Sequence, residues 1–209
     1  MQEDLSNKTE PTRIESLQLN SSVTSSSSKK LTMEKEMVEL YQSIDLLLPA
    51  PLPKRVIQFI ASRPREGTST IARQFASIAV TKFNKSVLIL ELNDNHEAIY
   101  KITNSNSSIS FNLIYQQDTM VNASIVKKHI DNEKVDFIVI DSESAAISSQ
   151  GITISAIVDG VVLVVEAENT RWQVVDNLKH NIMKNKGNIL GIVFNKRRFY
   201  IPDFIYRRF

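Results

Sequence analysis

The stretch SRPREGTST, residues 62–70, holds most of what a phosphate-binding loop needs. Such a loop has the spacing G-x-x-x-x-G-K-[ST]: bare backbone N–H groups wrap the phosphates, a lysine reaches the outer oxygens, and a hydroxyl holds Mg²⁺. Here Ser62 stands at the first glycine, Gly67 at the second, Thr68 at the lysine and Ser69 at the hydroxyl. The same residues also suit a plain strand-to-helix turn, with Ser69 or Thr70 capping the helix. Arg63, Arg65 and Arg73 lie close enough in sequence to offer bidentate phosphate contacts in place of the lysine. Otherwise they face solvent or pair with Glu66. The missing charge is costly: about 4 Å from a phosphate oxygen it is worth roughly 4 kcal/mol at an effective dielectric near 20, or roughly a thousandfold in affinity.

Two further carboxylates stand at chemically useful places. The apolar run VDFIVID (135–141) ends in Asp141, where a strand-end carboxylate reaches Mg²⁺ directly or through water. The run SVLILEL (86–92) carries Glu91 near its end, with Asn93 just beyond, and NILGIVFN (188–195) ends in Asn195. His96, His129 and His180 are too scattered for ligand spacing and suggest surface positions. With no cysteine there is neither a disulfide nor a thiolate metal site, which fits a reducing compartment. Trp172, on a helical stretch, is most simply a packing residue.

The elements that must position these residues follow from hydrophobic patterning. Five continuous runs rich in Val, Ile and Leu (55–61, 86–92, 135–141, 160–167 and 188–195) suit strands buried on both faces of a parallel sheet. Helical stretches at about 69–83, 119–132, 148–157 and 170–185 alternate with them, which predicts a doubly wound α/β domain with helices on both faces. Residues 94–118, rich in Asn and Ser, give no clear periodicity. Residues 1–32, with the tract SSVTSSSSKK, are expected to be a disordered tail, because such composition cannot offset its ordering entropy. Over 33–50, Met37, Leu40, Tyr41, Ile44 and Leu47 recur at three- and four-residue spacing, an amphipathic helix followed by a proline-rich linker. The domain proper is placed at 51–195 and a basic, aromatic tail at 196–209.

In their order along the chain, the 62–70 loop, the second strand, the Asp141-tipped strand, DGVVLVV and GIVFNKRR resemble the MinD-like P-loop ATPases. The nearest likeness is to the bacterial tyrosine autokinases of exopolysaccharide and capsule export, and it runs from about Met37 to Phe209. The resemblance implies the P-loop NTPase-like fold, with ATP held by Arg63, Glu66, Gly67, Thr68, Ser69 and Thr70. It also implies Mg²⁺ on Ser69 and Asp141, catalytic carboxylates at Glu91 and Asp141, and Asn195 beside the adenine. Members with full motifs have Pro-Gly-Glu-Gly-Lys-Ser/Thr where this chain has Pro64, Arg65, Glu66, Gly67, Thr68 and Ser69, and Asp-x-Asp where it has Glu91 and Asn93. Their Glu-x-x-Arg-x-x-Arg ring-assembly motif falls on Glu39, Gln42 and Asp45, which puts that mode of homo-oligomer in doubt. ATP and Mg²⁺ are therefore expected to bind weakly or not at all.

The tail RRFYIPDFIYRRF interleaves basic with aromatic and aliphatic residues. It suits an anchor on an anionic membrane surface, a docking segment for a partner, or a sparse version of the family's phosphorylated tyrosine cluster at Tyr200 and Tyr206; a strip folded back on the domain is the plainer alternative. The whole chain carries a net charge of only +2, too little for a nucleic-acid surface. The resemblance implies a cytoplasmic protein, peripheral at the inner membrane, whose partner is a membrane-integral polysaccharide co-polymerase of the chain-length-determinant type. It implies either an ATPase-like subunit with a degenerate site or an active ATP-dependent protein-tyrosine autokinase.

Overall fold

The structure is a computed structural model and describes residues 19–49, 52–93, 96–105, 108–117 and 123–196. The chain divides into two units, residues 1–36 and 37–209. What is described of the first unit is helical and belongs to α1 (Leu19–Leu47). The helix begins at Leu19 and runs through the tract SSVTSSSSKK into the amphipathic stretch expected from residue 33. Ser and Thr disfavour a helix by only about half a kcal/mol each, and extending an existing helix requires no new nucleus.

In the second unit, Met37, Tyr41, Ile44 and Leu48 are buried at helical spacing. Tyr41 stacks on Phe83 with centroids 3.8 Å apart and lies within 6 Å of Phe75 and Phe137. Asp45, one of the positions aligned with the assembly motif, pairs instead with Arg55 of this same chain.

The sheet has seven strands: β1 (Arg55–Ala61), β2 (Val87–Asn93), β3 (His96–Ser105), β4 (Ser108–Gln117), β5 (Phe137–Ser142), β6 (Gly160–Glu166) and β7 (Ile189–Asn195). Their order is β4-β3-β2-β5-β1-β6-β7, a mostly parallel α/β sheet. The five apolar runs are β1, β2, β5, β6 and β7, and every pairing among them is parallel. Alternate residues of β1 serve opposite faces: Ile57, Phe59 and Ala61 pack with α1 and α2 (Thr68–Thr81), while Ile60 packs with α5 (Trp172–Lys184). Leu88, Leu90, Ile138 and Ile140 pack with α3 (Ala123–Asn132) and α4 (Gln150–Ile154). Burying each of Phe59, Phe75 and Phe137 contributes about 1.5–3 kcal/mol.

β3 and β4 pair antiparallel, and β3 joins the edge of β2 in the same sense. This hairpin fills the Asn/Ser-rich region where the sequence shows no clear periodicity. Its signal is the alternation Ile109, Phe111, Leu113, interrupted by polar residues that hide it. Glu97 of β3 is buried, with His129 Nε2 of α3 3.4 Å from its Oε1; burial raises the Glu97 pKa and the His129 charge lowers it. Trp172, expected inside, opens α5 and is 56% exposed: it occupies the first helical position, outside the stripe of Val175, Leu178 and Ile182. Among the described residues no helix is long and apolar enough to cross a membrane.

Candidate functional site

β1 ends at Ala61, and the turn into α2 brings the 62–70 loop to the carboxyl ends of the parallel strands, where open α/β sheets place their ligand crevice. The helix is capped by Gly67, at φ +96°, and neither Ser69 nor Thr70 caps it. Only glycine adopts that conformation at low cost, and a Cβ there would run into the Asn195 side-chain nitrogen. With no side-chain cap, the first-turn N–H groups and the positive end of the helix dipole face the loop.

Glu66 does not pair with the arginine side chains. It is 1% exposed; its Oε2 accepts the Arg63 backbone N–H at 2.9 Å, and its Oε1 accepts the Thr170 hydroxyl and the Glu166 N–H. The carboxylate is thus an internal staple for the loop. From the end of β7, Asn195 Nδ2 donates to the Glu66 carbonyl at 2.9 Å, and Lys196 Nζ donates to the Arg65 carbonyl at 2.6 Å.

Asp141, next to last in β5, lies beside Phe59 of β1 and Glu91 of β2, each its register partner, and is 7% exposed. Ser69 donates a hydrogen bond to the Asp141 carboxylate, so the structure brings these two together as the loop reading requires. Burial pushes the Asp141 carboxyl up to about 6; the Ser69 hydrogen bond opposes this, the Glu91 charge adds to it, and the Arg73 charge again opposes it. Arg73 on α2 donates from Nε to Glu91 Oε1 at 2.8 Å, with its Nη2 on the same oxygen, and its guanidinium lies 5.8 Å from the Phe111 ring centroid. That hydrogen bond raises the Arg73 pKa further. Asn93 ends β2.

A cavity of about 430 Å³ opens at the loop, with Arg63, Gly67, Thr68, Ser69, Ser144 and Lys196 among the residues that line it. Ser144 is 6% exposed and its hydroxyl has no partner. A larger cavity of about 630 Å³ lies at the opposite end of the sheet, where β1 and β5 begin; of its charged groups, Asp45 pairs with Arg55 and Asp136 accepts from Ser86. Sequence reasoning missed three features: the Arg73–Glu91 pair, the orphan Ser144 hydroxyl and Lys196. Only the last left a signal, a basic residue directly after Asn195. Tyr200 and Tyr206 lie outside the described residues.

No family model and no curated protein matches this sequence. Solved structures match it by fold. The kinase domain of VpsO superposes with a TM-score of 0.59 over 84% of this chain and 99% of that one, at 14% identity. The chimerical protein CapA2B2 follows with 0.53 over 72% and 79%, at 18% identity. The kinase domain of the Escherichia coli tyrosine kinase ETK gives 0.51 over 72% of each chain, at 10% identity. At these identities the likeness is one of fold: the chain has the α/β architecture of bacterial tyrosine-kinase domains.

Proposed function

We propose that this chain is an ATPase-derived cytosolic subunit of an exopolysaccharide or capsule export system. It docks on a membrane-integral polysaccharide co-polymerase, retains a weak phosphate site and does not transfer phosphate. One observation carries this reading: the groups that would serve a metal-dependent transfer are engaged with protein partners. Glu91 is held by Arg73, and Thr68 stands where the lysine would be. The donor set does not fit Mg²⁺. A divalent cation takes charged oxygen ligands, whereas here the Glu91 carboxylate is neutralised by the Arg73 guanidinium, which leaves Asp141 as the one unpaired carboxylate among the residues expected to hold the metal. The loop backbone, the helix N-terminus and the nearby cations still suit an anion. The test is incubation of the purified chain with ATP and Mg²⁺, followed by detection of phosphotyrosine; none is expected, and stoichiometric labelling would overturn the proposal.

A second reading, an ATP-dependent protein-tyrosine autokinase, is favoured by the kinase-domain fold together with the adjacency of Ser69 and Asp141. It requires Arg73 to leave Glu91 when nucleotide arrives.

A further inference from the structure

We infer that Lys196 is the phosphate-binding cation of the 62–70 loop, taking from the end of β7 the part that a lysine at position 68 would otherwise take. The inference rests on the reading of that loop as a nucleotide-derived phosphate site, and the ligand class is a di- or triphosphate group.

Four observations carry it. The Lys196 ammonium already lies on the loop, 2.6 Å from the Arg65 carbonyl oxygen, and lines the same cavity as Gly67, Thr68 and Ser69. Its backbone is held in the left-handed region at φ +56°, which a residue with a Cβ adopts only when its surroundings impose it. What imposes it is Asn195: its Oδ1 accepts the Lys196 N–H at 2.8 Å, while its Nδ2 donates to the Glu66 carbonyl at 2.9 Å. One amide side chain therefore fixes the loop and aims the lysine. Finally, Ser144, one of the residues lining the cavity, has a buried hydroxyl without a protein partner, a donor that a phosphate oxygen could accept from.

The partners of the ammonium are consistent with exchange. The Arg65 carbonyl is neutral, and Glu166 Oε1, at 3.5 Å, also has Asn169 beside it, Nδ2 to Glu166 Oε2 at 3.1 Å. A polyphosphate brings more negative charge than either partner, so the ammonium gains by turning toward it. The side chain is 46% exposed, so screening reduces the effect well below that of a fully enclosed loop lysine.

The experiment is calorimetric titration of the full chain with inorganic pyrophosphate, in EDTA, at low salt. The wild type is expected to bind, and Lys196→Ala to weaken binding about tenfold to a hundredfold. Adding Thr68→Lys to Lys196→Ala should restore most of the loss, and Lys196→Gln should match Lys196→Ala if the alanine variant proves unstable. Lys85→Ala, at the opposite end of the sheet, is the charge-matched control. Wild-type affinity in both Lys196 variants overturns the inference while leaving the phosphate site intact, as does a loss confined to Arg63→Ala. A wild type that binds neither pyrophosphate nor ATP at 10 mM, about the weakest binding calorimetry resolves, overturns the phosphate-site reading and the inference with it.

Discussion

Glu91 and Asp141 are register partners across β2 and β5, yet Glu91 is ion-paired to Arg73 while Asp141 is hydrogen-bonded by Ser69. Two adjacent carboxylates that would suit a divalent cation are therefore stabilised separately, by groups on the same helix.

Nucleotide affinity follows from the charges. ATP should bind with a Kd no tighter than about 0.1–1 mM, and addition of Mg²⁺ should change it less than about threefold. Isothermal titration in EDTA and in Mg²⁺ checks both. A low-micromolar constant that appears only with Mg²⁺ would show that a metal site assembles on binding.

Removing the guanidinium should reverse that insensitivity. Arg73→Ala leaves Glu91 beside Asp141 without its cation, and Mn²⁺, followed by its paramagnetic resonance signal, should then bind at millimolar concentration where the wild type does not take it up. The stability change should stay within about 1 kcal/mol, because the Arg73 side chain is half exposed.

Asp141→Asn should stabilise the protein near neutral pH. The folded-state pKa is raised from 3.8 to about 6, so the stability associated with the protonated carboxyl is fully present below about 4 and is lost as pH rises through 6. An amide carries no charge to bury. The variant should be more stable than the wild type at pH 7.5 by on the order of 2 kcal/mol, with a higher thermal midpoint, and the two should converge at pH 4. Calorimetric scans at the two pH values decide it, and a lower midpoint at both would show that the hydrogen bond with Ser69 outweighs burial.

Deleting residues 197–209 should move the protein to the soluble fraction on membrane fractionation and lower polysaccharide output, with a thermal midpoint within a few degrees of wild type. The segment supplies four arginines among its aromatic and aliphatic residues, each basic group worth about 1 kcal/mol at an anionic surface. Replacing Tyr200 and Tyr206 by Phe should leave both readouts unchanged, since apolar area is kept. If that double variant alone lowers output and the parent contains phosphotyrosine, the autokinase reading takes over.

The sheet was legible where burial on both faces produced unbroken apolar runs, as in FIVI of β5 and VVLVV of β6. It was not legible where one face is polar: in β4, Ser and Asn around Phe111 satisfy a half-exposed strand while looking like a loop. At the site, local spacing located Gly67, Ser69 and Asp141, because a strand-to-helix loop and a strand end each keep their residues close in sequence. Pairings between distant elements left no such trace. Arg73 meets Glu91 only because α2 lies over β2, and Lys196 reaches Arg65 across 131 positions of chain.

Asn195 ties the exit of the last strand to the turn that opens α2, so the chain leaves the described fold beside the loop rather than at a remote edge. Whatever grips the following segment pulls at Lys196, and its work is done against the contact with Arg65. Equilibrium linkage then runs both ways: if occupancy of the loop changes how readily that lysine is released, a load on the tail changes occupancy by the same factor. The end of β7 is in that sense a lever whose fulcrum is a single amide side chain.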